Sequence, residues 1–157
     1  MVNSDMLQNA DVLGIDLGNT VVKHNLPLPE SFRVIRRLID ECFGERVHIV
    51  SRVNEAQEVR ARAFVTSPEF VEKVTIPISR VHFCALRHEK ASICERLGIT
   101  HMIDDRPDVL LHMPSCVRER ILFSPTEKDL VDWETQIRTM KIMNSWLEIE
   151  SHFFPAR

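Results

Sequence analysis

The sequence predicts an α/β domain: a three-layer α/β/α, Rossmann-like fold around a mainly parallel sheet of five strands. Three observations predict it. Short apolar runs alternate with helical segments, the pattern of a parallel sheet whose crossover helices cover both faces. The runs end in polar residues, which in such sheets gather at one edge. The chain has 157 residues, the usual size of one domain with one core, so a single domain over 1–157 is expected.

The first strand is Asp11 to Asp16 (DVLGID), an apolar, branched run that delivers Asp16 to its C-terminal edge before the turn residues Leu17-Gly18-Asn19-Thr20. Phe32, Ile35, Leu38, Ile39 and Cys42 then recur at helical spacing from Glu30 to Phe43, with Pro29 before the start and Gly44 as the stop. Val47 to Ser51 (VHIVS) is the second strand, and Asn54 caps a helix that runs to about Val65. Ser67-Pro68 and Ile76-Pro77 bracket a short helix, Val81 to Cys84 is a third strand, and Lys90 to Leu97 is a helix ended by Gly98. Ile99 to Ile103 is a fourth strand that stops at Asp104-Asp105, followed by a short helix from about Pro107 to Met113 and a fifth strand from Arg120 to Phe123. An amphipathic helix is expected over 126–150, with Leu130, Trp133, Ile137, Met140 and Leu147 as its apolar stripe. That stripe packs on the sheet or forms the contact of a homodimer.

Composition excludes several classes. Hydrophobic residues at 44% and charged residues at 27% build a core, unlike a disordered chain. A net charge of -3 gives no general footprint for nucleic-acid binding. Cys42, Cys84, Cys94 and Cys116 form no C-x-x-C pair, so neither a zinc knuckle nor a disulfide framework is indicated. The start, Met1 to Asp11, is polar, and no run of about 18 apolar residues occurs. The expectation is a cytoplasmic protein without membrane contact.

The chemistry lies in four elements: Asp16 in I-D-L-G-N-T, Ser51 in I-V-S, Lys90 at a helix start, and Asp104-Asp105 in M-I-D-D-R-P-D. Singly each is weak, because Ser and Asp often cap helices and Lys is common on surfaces. Together they place several carboxylates at adjacent strand ends, where they repel unless a cation sits among them. Oxygen-only donors favour Mg²⁺. A lysine and a hydroxyl beside that cation supply charge and hydrogen bonds to phosphate oxygens.

These elements resemble the four motifs of the haloacid dehalogenase superfamily, and the resemblance spans the chain up to about Phe123. Asp16-Leu17-Gly18-Asn19-Thr20 matches its Asp-x-Asp-x-Thr except at the third position, and Ser51, Lys90 and Asp104-Asp105 match the second, third and fourth motifs. Ile103 to Asp108 also resembles the fourth motif of small 5'-deoxyribonucleotidases. The resemblance implies a Mg²⁺-dependent hydrolase, a phosphatase acting through an aspartyl phosphate on Asp16, with Asp16, Ser51 and Lys90 catalytic. It implies phosphate contacts from Asn19, Thr20, Ser51, Arg52 and Lys90. Metal ligands would be Asp16, the Gly18 carbonyl, Asp104 and Asp105, with Asp105 preferred as the direct ligand. Thr20 would also support the nucleophile turn.

Gly18 is the departure. Phosphatases of the superfamily place a second Asp there as general acid and base, worth about 10²- to 10⁴-fold in rate. His24, close after the nucleophile, has the intrinsic pKa for a substitute, while His82, His88, His101 and His112 form no ligand cluster by spacing.

Only 35 positions separate Asp16 from Ser51 and 39 separate Ser51 from Lys90, intervals largely consumed by crossover helices. No cap domain is expected, so the site is open to a phosphate on a macromolecule or to a small substrate enclosed by a partner. Val21 to Pro29 reads as a small flap or, with its two prolines, a stiff connection. Two other functions remain. A degenerate domain of this type would bind Mg²⁺ and phosphate as a sensor or scaffold. G-I-D-L-G-N-T also resembles the nucleotide-binding turn of actin-like sugar kinases and type III pantothenate kinases, which need a second lobe that this length does not hold.

Overall fold

The computed structural model describes residues 10–156; the polar start read from Met1 to Asp11 lies mostly outside them. In chain order the elements are β1 (Leu13–Ile15), β2 (Val22–Lys23), β3 (Leu26–Pro27), α1 (Ser31–Leu38), which continues into a π-helical turn Ile39–Phe43, and β4 (Val47–Arg52). Next come α2 (Glu55–Val65), α3 (Pro68–Val74), β5 (Val81–Cys84), α4 (Arg87–Leu97), β6 (His101–Asp104), α5 (Pro107–Leu111) and β7 (Glu119–Phe123). The chain closes with α6 (Glu127–Asp132), a 3₁₀ turn Gln136–Thr139, β8 (Lys141–Met143) and α7 (Trp146–Phe153).

Among the described residues the main sheet has the order β5-β4-β1-β6-β7-β8, with every neighbouring pair parallel. The chain winds outward on one side of β1 and then crosses to the other. The gap between β4, β1 and β6 is therefore the switch point at which ligands bind in such sheets. Register fixes what meets there: Ile15 lies opposite both Ile49 and Ile103, so the next residues, Asp16 and Asp104, emerge side by side.

Alternation along the strands divides the core. Leu13, Ile15, Ile49, Ile103 and Ile121 face the layer that holds Phe32, Ile35, Phe43, Trp146 and Ile149. Val50, Met102 and Leu122 face the layer with Cys94, Leu110 and Met113. Each fully buried aliphatic or aromatic side chain contributes about 1.5–3 kcal/mol. Gly14 points toward this second layer, where a Cβ would stand 2.7 Å from the Met102 sulfur and 3.2 Å from Ile99 Cγ2, so a larger residue would require those side chains to shift.

One expectation is corrected. The sheet has six strands rather than five, because the region read as one helix over 126–150 is broken. Thr126 caps α6 in a reciprocal box with Asp129, the helix stops at Trp133, and β8 then pairs with β7. Thr135, Ile137 and Thr139 are β-branched, which weakens helix formation, and the exposed edge of β7 offers the chain ladder hydrogen bonds instead. The stripe is accordingly not one face: Met140 is buried, whereas Leu130 and Leu147 are 39% and 54% exposed.

The connection after β1 takes the small-flap form, one of the two readings of Val21 to Pro29, rather than that of a stiff connection. β2 and β3 form an antiparallel hairpin with Val22 opposite Pro27 and Lys23 opposite Leu26. The two turn residues, His24 and Asn25, both have positive φ, 52° and 61°, the geometry of a type I′ hairpin turn. Pro27 sits at a strand end, where its missing N–H costs little. Among the described residues no helix is long and apolar enough to cross a membrane.

Candidate active site

The nucleophile position is held by the loop that follows it. The Leu17 carbonyl accepts from the backbone N–H groups of Thr20, Val21 and Val22 at 3.3, 2.9 and 3.2 Å, and Asn19 N–H donates to the Val22 carbonyl at 2.8 Å. Asn19 takes a positive φ of 59°, which Asn tolerates better than most residues. The Thr20 hydroxyl donates to Asp16 Oδ2 at 3.3 Å. Behind the loop, Ser31 Oγ donates to the Val21 carbonyl at 3.1 Å and Trp146 Nε1 to the Thr20 carbonyl at 2.8 Å.

Lys90 rises from the first turn of α4, which starts at Arg87 rather than at Lys90 itself. The residue is 1% exposed, and its ammonium stands 2.9 Å from Asp16 Oδ1 and 2.7 Å from Asp104 Oδ2. Burial alone would depress its pKa; the two carboxylates outweigh that and hold it above the ordinary lysine value. Asp104 spends its other oxygen on the Arg106 N–H at 3.0 Å. Burial and the charge of Asp16 push the Asp104 carboxyl up against the opposing pull of Lys90. Asp105 is raised as well, by burial, Asp16 and Asp104 in that order.

Three aspartates crowd one ammonium, so the cluster carries more negative than positive charge. One oxygen each from Asp16, Asp104 and Asp105 lie within 4.8 Å of one another. The donors are all hard carboxylate oxygens, with no His or Cys among them, and this set fits a small divalent cation such as Mg²⁺. A cation there offsets the repulsion that raises Asp104 and Asp105.

The predicted site residues converge on one open cleft of ≈ 920 Å³. Asp16, Gly18, Asn19, Ser51, Arg52, Lys90, Asp104 and Asp105 all line it. Ser51 is buried at the end of β4, while Arg52 is exposed and donates from Nε to the Ala85 carbonyl at 3.2 Å. Thr20 is the exception: it is fully buried behind Asp16, does not line the cleft, and turns its hydroxyl to the Asp16 carboxylate. Gly18 is exposed, and a Cβ built on it meets nothing within 4 Å.

His24 lies on the cleft wall at the hairpin turn. The other histidines named from the sequence are elsewhere: His82 is against His48 on neighbouring strands, His101 against Glu119, His112 on the Asp108 carbonyl, and His88 on the surface of α4. Sequence reasoning missed Trp146, whose role depends on a contact 126 residues away. It also missed the face of α2. Asn54, Gln57, Arg60, Ala61 and Phe64 line the cleft at i, i+3, i+4 spacing, a signal that was present but lacked an apolar stripe to announce it.

No family model matches the chain, and neither does any curated protein. Among solved structures, the crystal structure of D,D-heptose 1,7-bisphosphate phosphatase from Burkholderia thailandensis is similar, with a TM-score of 0.64 and 13% sequence identity. The match covers 93% of this chain and 99% of that chain. Identity at that level speaks to fold alone. With a parallel sheet in this order, a hairpin directly after β1 and this similarity, the chain has the haloacid-dehalogenase-like fold.

Proposed function

We propose that this chain is a Mg²⁺-dependent phosphohydrolase that uses Asp16 as its nucleophile. The observation that carries the reading is the Lys90 ammonium held between Asp16 and Asp104, with Asp105 beside them at the sheet's switch point. A structural domain has no use for a buried lysine among crowded carboxylates at the edge of an open cleft.

In this reading an Asp16 oxygen attacks phosphorus, the ester bond to the leaving group breaks, and an aspartyl phosphate forms. Water then displaces the carboxylate, releasing inorganic phosphate and restoring Asp16. Lys90 orients the Asp16 carboxylate and offsets its charge, and Ser51 hydrogen-bonds the transferring group. Asp16, Asp105 and the Gly18 carbonyl would hold Mg²⁺, which supplies positive charge to the phosphoryl oxygens when bound. Asp105 is preferred over Asp104 as direct ligand because both Asp104 oxygens are already committed, to Lys90 and to the Arg106 N–H.

Gly18 donates no proton, so a leaving group must be good or be protonated from elsewhere. His24, exposed on the cleft wall, supports a substitute in that role. The same glycine favours a second reading, a domain that binds Mg²⁺ and phosphate as a sensor without turnover. The test is hydrolysis of an aryl phosphate and an acyl phosphate with and without Mg²⁺. Mg²⁺-dependent turnover that Asp16→Asn abolishes supports the hydrolase. Absence of turnover across phosphoesters and phosphoanhydrides, with Mg²⁺ binding retained, selects the sensor.

A further inference from the structure

The charges lining the cleft are segregated. Its negative groups are Asp16, Asp104 and Asp105, all at the base beside Lys90; every charged side chain on the walls above them is basic, namely Lys23, Arg52, Arg60 and Arg106. The chain as a whole has a net charge of -3, so this collection of cations is not a reflection of general composition. Arg106 is paired with Asp108. Lys23, Arg52 and Arg60 form no ion pair among the described residues, whereas on α1, α2 and α3 the basic side chains of Arg36, Arg62 and Lys73 each meet a carboxylate four residues away.

Arg60 breaks that pattern on α2. It lies on the same helix as Arg62, which pairs with Glu58, yet Arg60 faces the cleft and has no acidic partner there. It stands six residues beyond the Asn54 cap, about 9 Å along the helix at 1.5 Å per residue. Lys23 lines the same cleft from the β2–β3 hairpin. Val22, Ala61 and Phe64 give the same cleft a small apolar lining.

We infer that the cleft takes a small phosphate monoester bearing a second anionic group, a phosphate or a carboxylate, and that Arg60 and Lys23 bind that second group. The inference rests on the proposed phosphohydrolase site for the placement of the first phosphate. Unpaired cations in a recess lose hydration only against an anion of matching charge, and Arg offers a planar fork for two oxygens of a phosphate or carboxylate. The apolar strip is a few side chains long and the cleft volume lies in the range of small-molecule sites. A small, doubly anionic molecule therefore fits better than the macromolecular phosphate an open site also admits.

The experiment measures turnover and calorimetric binding in Mg²⁺ for fructose 1,6-bisphosphate, fructose 6-phosphate, 3-phosphoglycerate and an aryl phosphate, with wild-type protein, Arg60→Gln and Lys23→Gln. Fructose 1,6-bisphosphate or 3-phosphoglycerate is expected to bind about tenfold more tightly than the singly anionic esters. Which of the two does so separates a second phosphate from a carboxylate. Arg60→Gln is expected to erase most of that preference, weakening the doubly anionic ligand about tenfold more than the aryl phosphate. Turnover of the aryl phosphate with no preference for a second anion overturns the inference and leaves the hydrolase standing. Preference in binding without any turnover supports the inference and removes the hydrolase. Tighter binding of a 5'-phosphorylated oligonucleotide than of either small ligand overturns it in favour of a nucleic-acid end.

Discussion

The Lys90 ammonium lies 2.7 Å from Asp104 Oδ2, and that contact ties the third and fourth sequence elements together behind the nucleophile, which the same ammonium meets at 2.9 Å. Both partners are almost fully buried. Removing one member of such a pair leaves an uncompensated charge in the interior, which costs about 3–5 kcal/mol.

Lys90→Met is therefore expected to lower Tm markedly and abolish turnover. It leaves Asp16, Asp104 and Asp105 crowded without a cation, so Mg²⁺ should raise the Tm of this variant more than that of the wild type. Thermal unfolding with and without Mg²⁺ measures both. Equal Mg²⁺ shifts in the two proteins would mean that the metal does not bind beside Asp16.

Gly18→Asp tests the missing acid and base. A Cβ there meets nothing within 4 Å and the residue has no positive φ, so the substitution should leave folding intact. Turnover of esters with poor leaving groups should rise by about 10²-fold, while an activated aryl phosphate, which needs no protonation, should gain less. Unchanged rates on poor leaving groups would show that another group, His24 first among them, already transfers the proton.

The ends of the strands were readable because local signals agree there. Asp16, Ser51 and Asp104 each follow an apolar run and each emerges at the same edge, so parallel strands alone bring them together. Positions fixed by distant contacts were not readable. The amphipathic spacing of Leu130, Trp133, Ile137 and Met140 comes from short turns, and the three residues of β8 are too few for a strand period; only pairing with β7 defines them. The His24-Asn25 turn lacks the glycine that announces a type I′ hairpin, and the backing of the Thr20 turn by the Trp146 indole comes from 126 residues away.

Glu119 predicts the acid limit of stability. At the opposite end of the sheet from the cleft it meets His101, His152 and Lys141. Burial would raise its pKa, but the bonds to His101 and His152 outweigh that and hold the carboxyl far below its ordinary value of 4.5. A depressed folded pKa gives stability that is full above 4.5 and is lost as pH falls below it, because the unfolded chain then binds the proton first. Glu119→Gln should thus destabilise the protein at neutral pH, and the gap from wild type should narrow as the pH drops below 4.5. Urea midpoints across that range decide it; a gap that stays constant with pH would assign the loss to packing alone.

Trp146→Phe isolates the support of the nucleophile loop. The phenyl ring keeps much of the packing against Phe123, whose ring centroid is 5.7 Å from the indole, but it cannot donate to the Thr20 carbonyl. Leaving that carbonyl unsatisfied costs about 1–3 kcal/mol. Part of the cost can be relieved if the loop moves, and movement there shifts the Thr20 hydroxyl and with it the Asp16 carboxylate. Misplacing a reacting group by about 1 Å is worth up to 10²-fold in rate. The expected result is a fall in kcat, measured well below the variant's Tm, with a smaller change in KM, and partial loss of the Mg²⁺-induced rise in Tm. A lower Tm with kcat and the Mg²⁺ response preserved would confine Trp146 to packing.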